Sequence, residues 1–338
     1  MNRHVAPDVP PGEGPVRLAS FNLESLGGAR NEEVLAARLA ILRPQLLRLE
    51  ADVLCVQEVD GEKPGSGAPR ELLALRRLIA NTPYADFHLA STLSERHEGV
   101  SERHNLALLS RWPVADMRQI RHEFVDAPLY RRRAGEPEDE APVALGFDRP
   151  ILHAKLALPS GTLHVFNLHL RAPRAAPVPG GKRQGVWRSA SAWAEGYFVA
   201  AVKRAAQALE LRRAVECVFD ADPQALVAAC GDFNADDGET ALRIAAASEG
   251  DTRSARLAPR VLIPVERSLA EDRRYSVIHN GRPEMLDHIL ASRTLMGLFR
   301  GVEVHNEALM DETVRLDDAE DPPGSFHAPL VAEFDIGD

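Results

Sequence analysis

The first patterned segment of the chain alternates apolar and polar residues. Residues 16–22 are VRLASFN, the period-two pattern of a half-buried strand. Ser20, Asn22 and Glu24 would lie on one face of that strand, because side chains two positions apart point the same way. An unpartnered buried polar group costs about 1–3 kcal/mol. This face therefore either contacts solvent or lines a functional site.

The same patterning predicts strands and helices that alternate along the chain. Strands are predicted at 16–22, 53–59, 106–114, 151–158, 162–170, 226–234, 284–292 and 327–336. Helices are predicted at 31–49, 71–79, 190–218 and 239–247. Residues 1–15 are predicted to be a disordered tail. No composition break resembles a domain linker, so we expect a single α/β domain over 16–338.

Composition and charge narrow the class of protein. The chain has 338 residues, of which 45% are hydrophobic and 27% charged, as is typical of a soluble globular protein. It has neither a run of about 18 apolar residues nor a signal-peptide pattern, so we expect no stable membrane insertion and a cytoplasmic location. Its three cysteines are too few and too scattered for a disulfide framework. The net charge of −10 argues against a protein that coats duplex nucleic acid, since such proteins carry a basic face.

Several apolar strands carry polar residues that packing alone would not select. They are Glu58 in CVQEV, Asn167 and His169 in VFNLHL, Asp232 and Asn234 in CGDFN, Asp287 in MLDHIL and His327 in SFHAPL. Each residue taken singly is compatible with a structural role, such as a salt bridge or a helix cap. Together they predict a pocket at the strand ends, where α/β folds usually bind ligands.

These residue types favour one kind of chemistry. Carboxylates and amides without thiolates favour Mg²⁺ or Mn²⁺ over zinc. A histidine held by an aspartate can act as a general base toward water, while a second histidine and an asparagine can stabilise charge on phosphate oxygens. The residues therefore predict a hydrolytic phosphoester site.

The order of these motifs resembles that of the endonuclease/exonuclease/phosphatase (DNase I-like) superfamily. The resemblance begins near residue 16, extends to the C-terminus and depends on eight elements in family order: FNLES, VQEV, LLSRWPV, FDRP, NLHL, GDFNA, LDHIL and SFHAPL. It implies a four-layer α/β sandwich in which two packed mixed β-sheets are flanked by helices. It also implies a hydrolase that uses Mg²⁺ or Mn²⁺ to cleave a phosphoester, most simply a phosphodiesterase or nuclease.

The resemblance assigns the metal ion and the base to four residues. Glu58 would be the main metal ligand, with Asn22 beside it. His327 would be the general base that activates water, and Asp287 would orient it.

The remaining matches are implied to contact the phosphate. Asp232 and Asn234 would position the nucleophile and bind the phosphate or a second ion. His169 would contact the phosphate and assist the leaving group. Arg149 in FDRP and Asn167 in NLHL would bind the substrate.

The chain departs from the family pattern at one position. The last motif is usually Ser-Asp-His, whereas residues 325–327 are Ser-Phe-His. The aspartate that Phe326 replaces normally contributes to the metal site, so we expect weaker metal binding unless another acid substitutes. Asp321 and Asp335 are the candidates nearby in sequence.

The sequence leaves several questions open. Residues 182–189, KRQGVWRS, combine basic side chains with a tryptophan, which suits both single-stranded nucleic acid and a mobile loop over any phosphorylated substrate. The substrate could be nucleic acid, a lipid or a small phosphoester, and the rival to an enzyme is a phosphate-binding protein of little or no activity on the same fold. The number of subunits is also undetermined.

Overall fold

A computed structural model describes residues 14–28, 31–96, 98–313 and 324–336. Two six-stranded mixed sheets pack face to face and helices cover both outer faces, which confirms the predicted four-layer α/β sandwich. Apart from residues 14 and 15, the predicted tail lies outside the described residues. Within the described ranges, no helix combines the length and apolarity that crossing a membrane requires.

The elements follow one another in the alternating order that the patterning predicted. The strands are β1 (Val16–Leu26), β2 (Val53–Val59), β3 (His88–Ser91), β4 (Asn105–Ser110), β5 (Val114–Ile120), β6 (Leu129–Tyr130), β7 (Val143–Ala144), β8 (Ile151–Leu158), β9 (Gly161–His169), β10 (Lys182–Arg183), β11 (Val186–Trp187), β12 (Leu226–Asp232), β13 (Leu262–Pro264), β14 (Val277–His279), β15 (Arg282–Glu284), β16 (Asp287–Ser292), β17 (Phe299–Val304) and β18 (Leu330–Phe334). The α-helices are α1 (Glu32–Arg48), α2 (Leu73–Ile79), α3 (Ala190–Ala221), α4 (Thr240–Ala246), α5 (Glu249–Thr252) and α6 (Arg293–Met296). Short 3₁₀ helices lie at Pro83–Asp86, Ala255–Arg260, Val265–Ser268 and Glu271–Arg273.

The strand order of the two sheets brings their polar ends together. The first sheet has the order β17-β18-β1-β2-β4-β3, and the second has the order β13-β16-β12-β9-β8-β5. β1 is parallel to β2 and antiparallel to β18, just as β12 is parallel to β9 and antiparallel to β16. In the first sheet the C-terminal ends of β1 and β2 therefore lie beside the start of β18. In the second sheet the C-terminal ends of β9 and β12 lie beside the start of β16. We call this end of each sheet, across the strand ends, the site edge.

Three apolar layers hold the sandwich together. The first fills the space between the sheets, the second lies between the first sheet and helices α1 and α2, and the third lies between the second sheet and helices α3 and α4. Burial of such side chains stabilises a fold by about 25 cal/mol per Å². The helices cover only the outer faces, so the strand ends remain free to form a site.

The structure corrects several element boundaries. β1 continues to Leu26 instead of ending at residue 22, and the strand predicted at 284–292 is divided into β15 and β16. The sequence patterning did not predict β3, β5 or β17 as strands. β3 and β17 are the outermost strands of the first sheet, and β5 is largely exposed. Their sequences therefore lack the run of apolar residues that marks the central strands.

Helix α3 is longer than the sheet that it covers. Ser189 caps it by accepting a hydrogen bond from Ala192 N, and the helix ends at Ala221, three residues beyond the prediction. Its later part packs on the second sheet. Its first turns instead join a small separate apolar cluster formed by Leu145, Ala176, Val199 and Ala200.

Candidate active site

Two β-bulges turn acidic side chains into the space between the sheets. The register between β1 and β2 shifts between Asn22 and Leu26, and the register between β2 and β4 shifts between Val56 and Val59. Glu24 and Glu58 lie in these breaks with φ of 48° and 56°. A left-handed conformation is costly for a non-glycine residue and is often found at functional sites.

Glu58 is surrounded by hydrogen-bond donors. Ser25 Oγ donates to Glu58 Oε2 at 3.2 Å, and His104 Nδ1 lies 3.3 Å from the same oxygen. His169 Nε2 is 3.7 Å from Glu58 Oε1. Burial by itself would raise the pKa of Glu58, but the contact with His104 and the charges of His169, His104 and Arg149 lower it well below its usual value. Glu58 is therefore an anion at neutral pH.

Asn22 links the two sheets across the site. Its Nδ2 donates to Asp232 Oδ2 at 3.1 Å and to Glu58 Oε1 at 3.4 Å, while its Oδ1 accepts from the backbone N–H of Glu24 at 2.9 Å. The amide thus presents hydrogens to the carboxylates. Because a cation needs an oxygen ligand, Asn22 would have to turn its amide to bind a metal ion.

His327 and Asp287 form the predicted pair. Their Nδ1 and Oδ2 atoms lie 2.7 Å apart, and Ser276 Oγ, which accepts from Asp287 N at 3.0 Å, fixes the start of β16. Burial would lower the pKa of His327, but the charge and hydrogen bond of Asp287, with the charges of Asp232 and Glu24, raise it well above its usual value. With Nδ1 engaged, Nε2 is the atom left for proton transfer.

Asp232 is the last residue of β12, and Asn234 lies on the loop that follows it. Asn234 N donates to Asp232 Oδ1 at 2.8 Å, and Asn234 Nδ2 donates to Leu170 O at 3.1 Å. Burial, and then the charge of Asp287, raises the pKa of Asp232 to about 7. Asp232 therefore holds its negative charge only weakly and can accept a proton or a cation.

His169 completes the second sheet's side of the cluster. Its Nε2 lies 3.3 Å from Asp232 Oδ2, and its Nδ1 is buried without a partner in the described residues. Burial, and then the charge of Arg149, lowers the pKa of His169 well below its usual value. His169 is therefore a neutral imidazole that can donate a hydrogen bond to a phosphate oxygen.

Arg149 supplies positive charge beside these groups. It is partly buried just before β8 begins, and burial lowers its pKa while the charges of Glu58, Asp232 and Asp148 oppose that shift. Among the residues that the structure describes, it has no acidic atom within 4.0 Å. A guanidinium without such a partner is suited to an anionic ligand.

Asn167 is not brought to this cluster. It shares a face of β9 with His169, as predicted, but lies one pleat deeper between the sheets and is fully buried. Its Nδ2 donates to Val56 O at 3.1 Å and Ala107 O at 2.9 Å, and its Oδ1 accepts from Gln57 Nε2 at 2.7 Å. These bonds tie one sheet to the other and leave the amide unable to bind substrate.

Glu24 occupies the neighbourhood of the missing aspartate. Its Oε2 accepts from the backbone N–H of Phe326 at 2.7 Å, and its charge acts on both Glu58 and His327. Asp335 does not substitute, because it lies at the far end of β18 and pairs with Arg300. Asp321 lies outside the described residues.

The sequence argument overlooked three of the neighbours of Glu58. Glu24 had the right periodicity but was given no role, and Ser25 follows it within the same bulge. His104 precedes β4 in a loop without strand patterning. The excess of polar residues in FNLES was the available signal for the first two; His104 had none.

The residues fit a hard divalent cation. Asp232, Asp287 and His327 have ligand atoms within 4.8 Å of one another, and Asp287 Oδ1 is buried without a partner in the described residues. Glu58 and Glu24 add carboxylate oxygens across the cleft. Oxygen ligands without thiolates are those that Mg²⁺ and Mn²⁺ prefer.

Comparison with known proteins identifies the family. A model of the Endonuclease/Exonuclease/phosphatase family matches residues 19–309. The chain belongs to this family. Its members hydrolyse phosphoesters and generally use divalent metal ions. No curated protein matches the chain.

Solved structures of the family share the fold with low sequence identity. A family protein from Bacteroides vulgatus is 15% identical with a TM-score of 0.55, over 94% of this chain and 98% of that one. Truncated TDP2 from Caenorhabditis elegans is 14% identical with a TM-score of 0.52, over 95% and 97%. The 3' phosphatase NExo from Neisseria, bound to product DNA hairpin, is 18% identical with a TM-score of 0.50, over 95% and 99%. At such identities the likeness supports the DNase I-like fold alone.

Proposed function

We propose that this protein is a divalent-metal-dependent phosphodiesterase of the nuclease type. The observation that carries the proposal is the 2.7 Å contact between His327 Nδ1 and Asp287 Oδ2, opposite the anionic Glu58. Such a pair can deprotonate water while the facing groups bind the phosphate.

Each residue then has a task in the reaction. Asp287 holds the His327 ring so that Nε2, in the unprotonated form of the ring, accepts the proton of the attacking water, and Asp232 orients that water. His169 and Asn234 stabilise the charge that develops on the phosphate, because hydrogen-bond donors fixed in advance act most strongly in a dry site. Arg149 adds positive charge to the same region.

Glu58 and Glu24 would hold the metal ion, with Asn22 joining them once its amide turns. When bound there, Mg²⁺ or Mn²⁺ would supply Lewis-acid polarisation of a phosphoryl oxygen and would offset negative charge. Phe326 is the argument for the rival hypothesis, a phosphate-binding protein without activity. The proximity of Glu24 to the Phe326 backbone supports the enzyme, since an acid is available where the usual one is absent.

Hydrolysis assays with and without metal test the proposal. Purified protein with Mg²⁺ or Mn²⁺ is incubated with plasmid, single-stranded oligonucleotides, bis-p-nitrophenyl phosphate and p-nitrophenyl phosphate. We expect turnover of at least one diester, faster than that of the monoester and abolished by EDTA. Absence of turnover with both cations on all four substrates would instead support the phosphate-binding protein.

A further inference from the structure

The first half of α3 extends beyond the sheet edge at which the site lies. Gln207 Oε1 accepts from Arg171 N at 2.9 Å, two residues after β9 ends, so Gln207 is level with that edge. From Ala208 to Phe219 the helix packs on the second sheet. Residues 190–206 therefore project past it, over about 25 Å at 1.5 Å per residue. We call this segment the overhang.

The overhang carries an exposed aromatic surface. Trp193, Tyr197 and Phe198 are 48%, 40% and 48% exposed, and they are the only exposed aromatic residues in the described part of the chain. Trp193 and Tyr197 stack with ring centroids 5.6 Å apart. Single exposed apolar residues are ordinary, but a cluster on two helical turns usually marks an interaction surface.

The β10–β11 ribbon, which contacts the overhang, carries basic side chains. Lys182 Nζ lies 4.6 Å from the Trp187 ring centroid, and Trp187 packs against Gly196 of the overhang, where an added Cβ would come within 3.1 Å of it. Lys182 and Arg183 are exposed and have no acidic partner within 4.0 Å in the described residues. In a chain with a net charge of −10, this is a local basic surface.

The overhang is continuous with the candidate site. Arg204 Nη1 donates to Arg171 O at 3.2 Å, and the neighbouring carbonyl, Leu170 O, accepts from Asn234 Nδ2 at 3.1 Å. A chain-like ligand that lies along the overhang would therefore be led toward Asn234 and the phosphate-binding residues.

We propose that the overhang and the β10–β11 ribbon form a docking surface for single-stranded nucleic acid. Unpaired bases stack on Trp193 and Tyr197, and phosphates lie along Lys182 and Arg183, because stacking together with backbone charge is how such strands are bound. The proposal rests on the proposed function for its substrate class, and the charge of the ribbon favours a polyanion over a second acidic copy of this chain.

Oligonucleotide binding measured in EDTA tests the surface apart from catalysis. Fluorescence anisotropy is recorded with a labelled single strand, a duplex of equal length and a single strand of abasic residues. We expect the single strand to bind tightest. Stacking contributes about 1–3 kcal/mol per base, so Trp193→Ala with Tyr197→Ala should weaken its binding by at least about 10-fold.

Two variants separate stacking from damage to the fold. Trp193→Phe with Tyr197→Phe keeps the rings and should restore most of the binding. Leu209→Ala removes a side chain of similar exposure, 41%, from the part of α3 over the sheet and should bind like the unmodified protein. Equal binding by the alanine pair and the unmodified protein would overturn the proposal, as would equal binding of the abasic and normal strands.

A membrane or a second copy of this chain on the same surface would give different experimental results. If vesicles of phosphatidylglycerol and phosphatidylcholine sediment the protein, and Val186→Ser at the exposed ribbon turn abolishes this without changing oligonucleotide binding, the surface docks on membranes and the proposal fails. A dimer in sedimentation that the alanine pair dissociates would also overturn it. If the protein binds the strand through its rings but hydrolyses no substrate, the docking surface stands and the proposed function fails.

Discussion

The two sheets contribute different chemistry to the same edge. The first sheet supplies carboxylates from bulged strand ends, Glu24 and Glu58, whose backbones adopt left-handed conformations. The second sheet supplies His169 and Asp232 from regular strands in unbroken register. The acids of the first sheet suit a cation, whereas the residues of the second suit the phosphate and the water.

Neither sheet forms the site by itself. Asn22 of the first sheet donates to Asp232 of the second, and His327, which precedes β18, pairs with Asp287 at the start of β16. Asn167 and Gln57 make a similar link deeper in the interior. The site therefore forms only when the sheets pack. Because the two sheets supply different groups, substitutions in one sheet should affect the site differently from substitutions in the other.

The largest effect should come from breaking the contact between His327 and Asp287. General-base catalysis contributes about 10²–10⁴-fold, so His327→Gln should lower kcat on bis-p-nitrophenyl phosphate by a factor in that range. Asp287→Asn should lower it too, and the double variant should be little worse than His327→Gln, because the two residues act as a unit. His88→Gln, an exposed histidine on β3, is the matched control. Turnover that survives His327→Gln would refute the assigned base.

A smaller effect should come from His153, which is buried in the second sheet away from the site and should make the stability of the protein depend on pH. Burial, and then the charge of His164, lowers the pKa of His153 on β8 to about 3. In the unfolded chain His153 binds a proton near pH 6.5, whereas in the folded protein it stays neutral at that pH. The free energy of unfolding should therefore fall as the pH drops below 6.5. At pH 5 this loss is about 2 kcal/mol.

Urea unfolding at pH 7.5 and pH 5.0 measures this loss. His153→Gln should lose about 2 kcal/mol less between the two pH values than the unmodified protein, because glutamine does not titrate. His88→Gln should lose as much as the unmodified protein. An unchanged difference in His153→Gln would mean that other groups cause the acid sensitivity.

The smallest effect should come from the first sheet's carboxylate near Phe326. If Glu24 substitutes for the missing aspartate, Glu24→Gln should weaken Mn²⁺ binding by about 10-fold in calorimetry, within the range seen when residues around a metal site are altered. Adding Phe326→Asp to that variant should restore the affinity. Equal affinities in all three proteins would show that neither position contributes to the cation site.

Much of the fold was predictable because its central strands are buried on both faces. β2, β9 and β12 are nearly continuous apolar segments, and polar residues at their ends could be recognised against that background. The edge strands β3 and β17 alternate weakly, so the sequence did not predict them. The single-domain organisation and the cytoplasmic location stay predictions.

The sequence nominated candidate site residues, but it did not predict their contacts with one another. Periodicity placed Asn167 and His169 on one face, yet it could not tell which lay at the rim and which lay inside. Likewise it predicted a role for Asn22 but not which end of its amide would face the acids. These distinctions depend on the opposite sheet, which periodicity along one strand does not describe.

By itself, the sequence determined the alternation of strands and helices and the polar residue types at the strand ends, because strand periodicity and polar interruptions are local properties. The four-layer sandwich was predicted from the resemblance of its motifs to those of a known family. The polar residues of FNLES, which the sequence singled out, lie among the candidate site residues in the structure. Only the tertiary structure decided that Glu24 lies against the Phe326 backbone and that His104 reaches Glu58. Both contacts join segments far apart in sequence, and hydrogen bonds form only where packing brings donor and acceptor to about 3 Å.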